Sequence, residues 1–188
     1  HVPLQSGDDA ILSSMNRPYN AKEFAHLIQR AIATIPHLGL GTDLMVGFPG
    51  ETEGAFEHTL HIACELPFSY FHVFTYSQRP GTAAARLPDQ VPIAVARKRA
   101  KILAQLSRLK RLAFAERYIG STVPVLFESG EMDGYRLGVT ANFLKVAVPS
   151  NIDLTNHLKD VRVTGASDRW AVGQLTEEHQ STRRVPIL

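Results

Sequence analysis

The stretch Gly41–Thr52, GTDLMVGFPGET, constrains the fold more than any other part of this 188-residue chain. Leu44, Met45 and Val46 suit a buried strand, and the glycines and proline that follow them predict a tight turn. Thr52 is a good N-cap for a helix that begins directly afterwards. A strand, a tight turn and a helix in this order are typical of α/β folds, in which ligands bind beyond the carboxyl ends of parallel strands.

The sequence on either side of this stretch repeats the alternation of strands and helices. Residues 1–5 and 69–76 have the composition of strands, the second of them aromatic and β-branched. Ser6 with Asp9 resembles a capping box for a first short helix, and Asn20 with Glu23 predicts a second one. Such alternation indicates a parallel sheet. Three strands are too few to close a barrel.

The pattern changes near residue 118, where we place a domain boundary. Short segments of strand composition, separated by turn signals, follow it and predict a small β-barrel or sandwich. The predicted organisation is therefore an α/β part over 1–92, a connecting helix over 93–118, a β-barrel over 119–175 and a loosely held polar tail over 176–188.

The connecting helix is strongly basic. Between Arg97 and Arg117 it carries eight Lys or Arg residues and one acid, Glu116. One interpretation is a solvated helix face, since Lys and Arg are good helix formers; the other is a surface that binds polyanions. The residues expected to form its apolar face are Val95, Ile102, Leu103, Leu106, Leu109 and Ala113.

Cysteine and histidine usage bounds the redox chemistry and metal binding. Cys64 is the only cysteine, so no disulfide forms within the chain, and a reducing, cytoplasmic location is expected. No apolar run is long enough to span a membrane. His58, His61 and Cys64 have a metal-like spacing, but we favour a partly buried helix face and predict no metal site. The chain opens on an apolar run without an initial Met, which leads us to expect a piece of a larger protein.

Three motifs in register carry a family resemblance: HVPLQSGDDAILSSMNRPYN, TDLMVGFPGET and YSQRPGTAAA. With the β-region that follows, they resemble the C-terminal half of the radical S-adenosylmethionine methylthiotransferases. LPFSYFHVFTYSQRPGTAAA is most similar to the MtaB-type enzymes, which methylthiolate N6-threonylcarbamoyladenosine beside the anticodon of tRNA. Enzymes that act on isopentenyladenosine in tRNA or on a ribosomal protein share the general motifs and remain alternatives. GVTANFLKVAVP resembles the TRAM domain, an OB-like RNA-binding barrel.

The resemblance implies a partial (β/α) barrel whose strand ends hold S-adenosylmethionine. Residues at the strand ends would contact the cofactor, with Asp43 accepting a hydrogen bond from its adenosyl part and Arg17 pairing with its carboxylate. The full set of expected cofactor contacts is Gln5, Ser6, Arg17, Thr42, Asp43, Tyr76 and Ser77. The family also carries two [4Fe–4S] clusters bound by cysteine motifs that this chain lacks, so we expect the chain alone to be inactive.

The expected partner is the anticodon loop of tRNA. Phosphate contacts are expected from Lys110, Arg111, Arg117, Arg136 and Lys145. Phe143 either stacks on a base or fills the barrel core, and its exposure decides between the two. A non-catalytic RNA-binding module and a small-molecule α/β enzyme are the competing interpretations. An unpaired strand edge near residues 1–5 makes a dimer possible.

Overall fold

The computed structural model describes residues 1–176, so the predicted tail beyond Thr176 lies outside the described part. The chain forms two compact units, residues 1–110 and the residues from Arg111 onward. The elements are α1 (Asp9–Ser14), α2 (Ala21–Thr34), β1 (Gly41–Val46), α3 (Glu53–Glu65), β2 (Tyr70–Thr75), a short 3-10 turn (Ala84–Arg86), α4 (Ile93–Glu116), β3 (Thr122–Met132), β4 (Tyr135–Val139), β5 (Lys145–Pro149), β6 (Leu158–Ala166) and β7 (Ala171–Leu175).

The first unit contains a parallel sheet, as predicted, but it has two strands, because residues 1–5 form a single bridge at Gln5 and not the expected third strand. β1 and β2 pair in parallel, with Gly41 opposite Tyr70 and Val46 opposite Thr75. Residues 1–5 run alongside β1 in the same direction, because the Val2 N–H bonds the Gly41 carbonyl and the Gln5 N–H bonds the Asp43 carbonyl. All three chain segments therefore end at the same edge of the sheet.

The two faces of this sheet differ in character. Leu44, Val46 and Phe71 point into a core that also contains Phe56 of α3 and Leu103 of α4. Because side chains alternate along a strand, the neighbouring positions Asp43, Met45, His72 and Phe74 lie on the opposite face. That second face carries the chemistry discussed below.

Local capping sets where the helices begin. Asn20 and Glu23 form the predicted capping box of α2, and Thr52 caps α3 through the Ala55 N–H. The prediction for α1 was wrong: Asp8 is its N-cap and accepts from the Ile11 N–H. Ser6 lies two residues earlier, where its hydroxyl accepts from the Asp8 N–H.

The buried face of α4 also differs from the sequence-based expectation. Leu103 is buried as predicted, but Leu109 is 64% exposed and Val95 is 36% exposed. Ala113 is exposed as well, whereas Ile102 and Leu106 are half-buried against the core. Between residues 96 and 107 the fully buried positions are Ala96, Arg99, Leu103 and Ser107, a stripe that includes two polar side chains. A hydrophobic pattern does not reveal such a stripe, because it assigns polar residues to the solvent.

The second unit contains a closed five-stranded barrel in the order β3-β4-β5-β7-β6. Every pairing is antiparallel except that of β5 with β7, which is parallel. Five strands closed in this order are typical of OB-like barrels. The interior is filled by Val125, Phe127, Val146, Val161 and their neighbours, together with Phe114 and Tyr118 from the end of α4 and the residues after it.

Among the described residues, no helix has the length and apolar character needed to cross a membrane.

Candidate functional site

A tight turn follows β1 at the carboxyl edge of the sheet. The Glu51 N–H bonds the Phe48 carbonyl at 3.0 Å, with Pro49 and Gly50 between them and Gly50 at φ +84°. Proline followed by a residue of positive φ is typical of a type II turn. The backbone of Gly47 also has a left-handed conformation, at φ +78°. A Cβ at this position would lie 2.5 Å from the Ala96 Cβ of α4. The glycines of this turn are therefore required by the backbone and by the close approach of α4.

A buried ion pair fixes the turn to α4. Arg99 donates to Glu51 Oε2 at 2.8 Å, to the Glu51 carbonyl at 2.9 Å and to Glu53 Oε2 at 2.9 Å. The same Glu51 oxygen accepts from the Gly47 N–H at 2.7 Å. Burial raises the pKa of Glu51, although the hydrogen bonds from Gly47 and Arg99 oppose this shift. The acid of the FPGE turn is thus a structural anchor for the loop.

A cavity of about 450 Å³ opens at the same edge of the sheet. Its lining includes Met45, Phe48, Phe74, Tyr76 and Ser77, with Thr75, Arg79, Thr82 and Ala84 beside them. Phe48 and Tyr76 pack edge to face with ring centroids 5.3 Å apart. The Tyr76 hydroxyl is buried and has no hydrogen-bond partner among residues 1–176. A mostly apolar cavity with a single unsatisfied hydroxyl is suited to an organic ligand.

The structure separates the other expected cofactor contacts. Thr42 is fully buried on the helix side of β1, where its hydroxyl donates to the Val2 carbonyl at 2.7 Å and accepts from the Leu4 N–H. Ser6 is also fully buried, with its hydroxyl 3.2 Å from Thr59 Oγ1. Both hydroxyls bind the segment 1–6 to its neighbours.

Gln5, Asp43 and Arg17 occupy three different environments. Gln5 is 8% exposed and has a left-handed backbone at φ +73°, a sparsely populated conformation for a side chain of this kind. Asp43 lies on the open face of the sheet, and its Oδ1 is 3.0 Å from His1 Nε2 and 3.2 Å from His72 Nδ1. Arg17 follows α1 and is exposed. None of the three lines the cavity.

The histidines of α3 lie on its surface. His58, His61 and Cys64 are all exposed, so the expectation of a partly buried face was wrong. His58 bonds the N-cap carboxylate of Asp8 at 2.8 Å. A lone, exposed Cys64 does not match the several thiolates that ligate an iron–sulfur cluster.

The three cations expected to contact RNA at the end of α4 and just after it lie in different environments. Lys110 is half-buried and donates to the carbonyls of Leu66, at 2.9 Å, and of Cys64, at the end of α3. Burial lowers the pKa of Lys110, opposed by Cys64 and Glu65 nearby. Arg111 is half-buried, whereas Arg117 is exposed and lies 5.7 Å from the centre of the Phe114 ring.

One end of the barrel presents an exposed aromatic and a cation. Phe143 is 70% exposed in the β4–β5 turn, which answers the question left by the sequence: it is not a core residue. Lys145 begins β5, and its Nζ lies 5.5 Å from the centre of the Trp170 ring. The parallel register of Val146 with Ala171 brings these neighbours together. The sequence pattern did not point to Trp170, because only the non-local pairing of β5 with β7 gives it this position.

Arg136 lies elsewhere on the barrel. It pairs with Val148 in register, and its guanidinium donates to Glu131 Oε2 at 2.6 Å. Its side chain is 21% exposed. The ion pair with Glu131 reduces the charge that Arg136 presents to solvent.

Side-chain hydroxyls occupy both outer edges of the sheet. At the edge formed by residues 1–5, Tyr19 donates to the carbonyls of Pro3, at 3.0 Å, and Leu4, at 3.2 Å. At the β2 edge, the Ser107 hydroxyl accepts from the Phe71 N–H and donates to its carbonyl. The first edge, where the sequence suggested dimer formation, therefore already has an internal partner.

Comparison with known proteins identifies relatives for nearly the whole chain. A tRNA-2-methylthio-N(6)-dimethylallyladenosine synthase from Maricaulis maris is 38% identical over 182 residues, which is 96% of this chain and 40% of the relative. Synthases of the same name from Rickettsia canadensis and Streptomyces coelicolor are 37% and 34% identical, over 93% and 95% of the chain. No protein-family model matches.

The chain spans about 40% of the length of these relatives. Their names specify dimethylallyladenosine, whereas the motifs had favoured threonylcarbamoyladenosine. The matched region covers the parallel sheet, α4 and the five-stranded barrel, so the sequence identity to these relatives is not confined to one motif. Over most of its length, this chain is homologous to the tRNA methylthiotransferases that make 2-methylthio-N6-dimethylallyladenosine.

Proposed function

We propose that this chain is part of a tRNA methylthiotransferase and contributes a cofactor-binding sheet edge and an RNA-binding barrel. The homology to named synthases over most of the chain is the observation that carries this proposal. Modifying a tRNA nucleoside requires a cofactor site and an RNA-binding surface. The cavity at the carboxyl edge of the parallel sheet and the OB-like barrel are suited to these two roles. Because the proposed substrate is tRNA, the cytoplasm is the proposed location.

The proposed substrate nucleoside is dimethylallyladenosine, the same compound as isopentenyladenosine. The relatives' names support it over threonylcarbamoyladenosine, the nucleoside favoured by the sequence motifs. Deleting the gene in its source organism and measuring tRNA nucleosides by mass spectrometry tests this directly. We expect loss of the methylthio form of dimethylallyladenosine alone. Loss of the threonylcarbamoyl form would restore the first interpretation, and no loss of either would point to a protein substrate or a non-catalytic module.

The proposed cofactor is S-adenosylmethionine, and the cavity with Tyr76 and Ser77 is its proposed site. Gln5, at the end of the neighbouring chain segment, Asp43 and Arg17 remain proposed contacts from outside the cavity lining. The buried hydroxyls of Ser6 and Thr42 are assigned to holding the sheet together. With a single cysteine, the chain does not fit the [4Fe–4S] clusters that the family resemblance implies, so no step through a cluster is derived.

A ligand that needs no cluster tests the cavity. S-adenosylhomocysteine titrated into the chain is expected to shift NMR signals of residues around Tyr76. Tyr76→Phe removes the unsatisfied hydroxyl and should weaken binding severalfold, since a lost hydrogen bond is worth about 0.5–1.5 kcal/mol. Tyr135→Phe, on β4 and outside the cavity lining, is the matched control and should bind normally. If the wild type and both variants bound S-adenosylhomocysteine with equal affinity, Tyr76 would not be part of the binding site.

The proposed RNA contacts are Phe143, Lys145 and Trp170 on the barrel, with Arg111 and Arg117 preceding it. Exposed aromatic rings stack on bases, and cations bind phosphates. Phe143→Ala is expected to weaken binding of an anticodon stem-loop by about 1–3 kcal/mol in a fluorescence anisotropy titration. Ile152→Ala removes another exposed apolar side chain of the same unit and should have little effect. Equal losses in both variants would argue against a stacking role.

A further inference from the structure

Three side chains with metal-binding atoms meet on the open face of the parallel sheet. His1 Nε2 lies 3.0 Å from Asp43 Oδ1, and His72 Nδ1 lies 3.2 Å from the same oxygen. The three candidate ligand atoms all lie within 4.8 Å of one another. Within residues 1–176, no other group of three His, Cys, Asp or Glu side chains meets this condition.

The backbone of the sheet holds this arrangement. Asp43 and His72 are direct partners in the parallel register of β1 and β2. The hydrogen bond from the Val2 N–H to the Gly41 carbonyl fixes the segment that carries His1. The rings of His1 and His72 also stack, with centroids 5.5 Å apart. Three adjacent chain segments thus each present one donor to a common point.

Two of the three distances between the donor atoms fit a bound metal ion. Tetrahedral zinc with ligand bonds of about 2.0–2.1 Å places neighbouring donor atoms about 3.3 Å apart. The two nitrogen–oxygen distances of 3.0 and 3.2 Å are close to that value. A small adjustment of the side chains would therefore admit an ion between them.

We propose that His1, Asp43 and His72 bind a divalent transition-metal ion of the class of zinc or ferrous iron. Two imidazoles and one carboxylate are a ligand set that both ions accept, with at least one coordination position left over. The ligand side chains are 34%, 22% and 57% exposed, so that position faces solvent. A water molecule or a small anionic ligand fills it.

The alternative is a hydrogen-bonded cluster without metal. In that case the facing nitrogen of each imidazole carries a proton and donates to the shared Asp43 oxygen. A metal ion takes the place of both protons at these nitrogens. The two arrangements use the same side chains, so direct metal binding distinguishes them.

The test is a zinc titration of the chelator-treated 188-residue chain, with any histidine tag removed. Calorimetry and native mass spectrometry are expected to show one zinc per chain, and the ring NMR signals of His1 and His72 should shift. Asp43→Asn and His72→Ala should each weaken binding at least tenfold. Both side chains are partly exposed and outside the core, so the variants should fold, which circular dichroism checks.

Two variants on α3 serve as matched controls. His61→Ala and Cys64→Ser remove exposed metal-binding side chains of α3 and should leave the zinc affinity unchanged. The proposal is overturned if the chain binds no stoichiometric zinc, if Asp43→Asn binds as tightly as the wild type, or if either control abolishes binding. None of these outcomes depends on methylthiotransferase activity, so they are distinguishable from the tests of the proposed function; zinc bound at Asp43 would replace only the proposed contact of Asp43 with the cofactor.

Discussion

At the residue scale, Lys110 on α4 and Arg117 directly after it show that two cations close in sequence have different physical roles. Lys110 donates to carbonyls at the end of α3, a common way for lysine to satisfy a helix C-terminus. Arg117 is exposed and carries no ion pair among the described residues. Sequence alone counts both as positive charges available to a polyanion.

Substituting each residue separates these roles. Lys110→Ala is expected to lower the free energy of unfolding by about 1–3 kcal/mol, since hydrogen bonds from a charged donor are lost. It should leave the salt dependence of RNA binding unchanged. Arg117→Ala should instead reduce the slope of log K against log salt by about 0.7–0.9, the value for one phosphate contact, with little effect on unfolding. Urea unfolding and anisotropy titrations at several salt concentrations measure both; the reverse pattern would contradict the assignment.

Asp8 provides a prediction about pH. Burial favours a higher pKa for this carboxyl, but hydrogen bonds from His58 and from the Ile11 N–H outweigh it and lower the pKa. A carboxyl whose pKa is lower in the folded state stabilises the fold above its unfolded pKa, and this contribution is lost as pH falls through the folded value. Asp8→Ala should therefore cost about 1 kcal/mol at neutral pH and progressively less below about pH 4.

Asp8→Asn is the informative control, because asparagine also caps helices well. It should keep most of the stability at neutral pH while removing the part of the pH dependence that Asp8 contributes. Urea unfolding of the three proteins across pH 3–7 gives the comparison. A constant difference between the wild type and Asp8→Ala over that range would show that the charge of Asp8 contributes nothing.

At the element scale, α4 acts on the turn after β1 through two neighbouring positions. Ala96 leaves room for Gly47, and Arg99 bonds Glu51 and Glu53. Removing one partner of such a buried ion pair leaves the other charge uncompensated, which is strongly destabilising. The geometry of the cavity edge therefore depends on the first turns of a helix whose far end packs on the barrel core.

A double-mutant cycle tests this contact between turn and helix. Gly47→Ala should destabilise by more than 1 kcal/mol, because the new Cβ meets the Ala96 Cβ and the backbone there is left-handed. Ala96→Gly should recover part of that loss by removing the clash, while the backbone strain stays. Thermal or urea unfolding of the two single variants and the double variant measures the coupling. Strictly additive effects would mean that the two residues do not meet.

The elements show which features a sequence can predict. The caps at Asn20 and Thr52 and the strand at residues 41–46 depend on neighbouring residues, so local patterns predict them well. Local patterns do not predict the buried stripe of α4, because Arg99 and Ser107 are buried only through partners distant in sequence, Glu51 and Phe71. The opposite faces of Thr42 and Asp43 follow from strand alternation, but which face holds the helices is decided by tertiary packing.

At the scale of the whole molecule, the single cysteine limits what the chain can assemble. Anaerobic incubation with iron and sulfide should yield no stable four-iron cluster, because such clusters need several thiolates. Iron bound at His1, Asp43 and His72 would carry no sulfide, so analysis of both elements separates the two cases. A stoichiometric iron–sulfur chromophore that Cys64→Ser abolishes would contradict this prediction.

The hydroxyls of Tyr19 and Ser107 have a consequence for colloidal behaviour. A sheet whose edge strands expose unpaired N–H and C=O groups can pair with strands of other chains and so start aggregation. Here Tyr19 occupies the carbonyls of Pro3 and Leu4, Pro3 has no amide hydrogen to offer, and Ser107 occupies both groups of Phe71. We infer that these two side chains prevent further strands from pairing with the sheet edges. Replacing them should therefore cause turbidity in concentrated solution before any change in the fold of a single molecule.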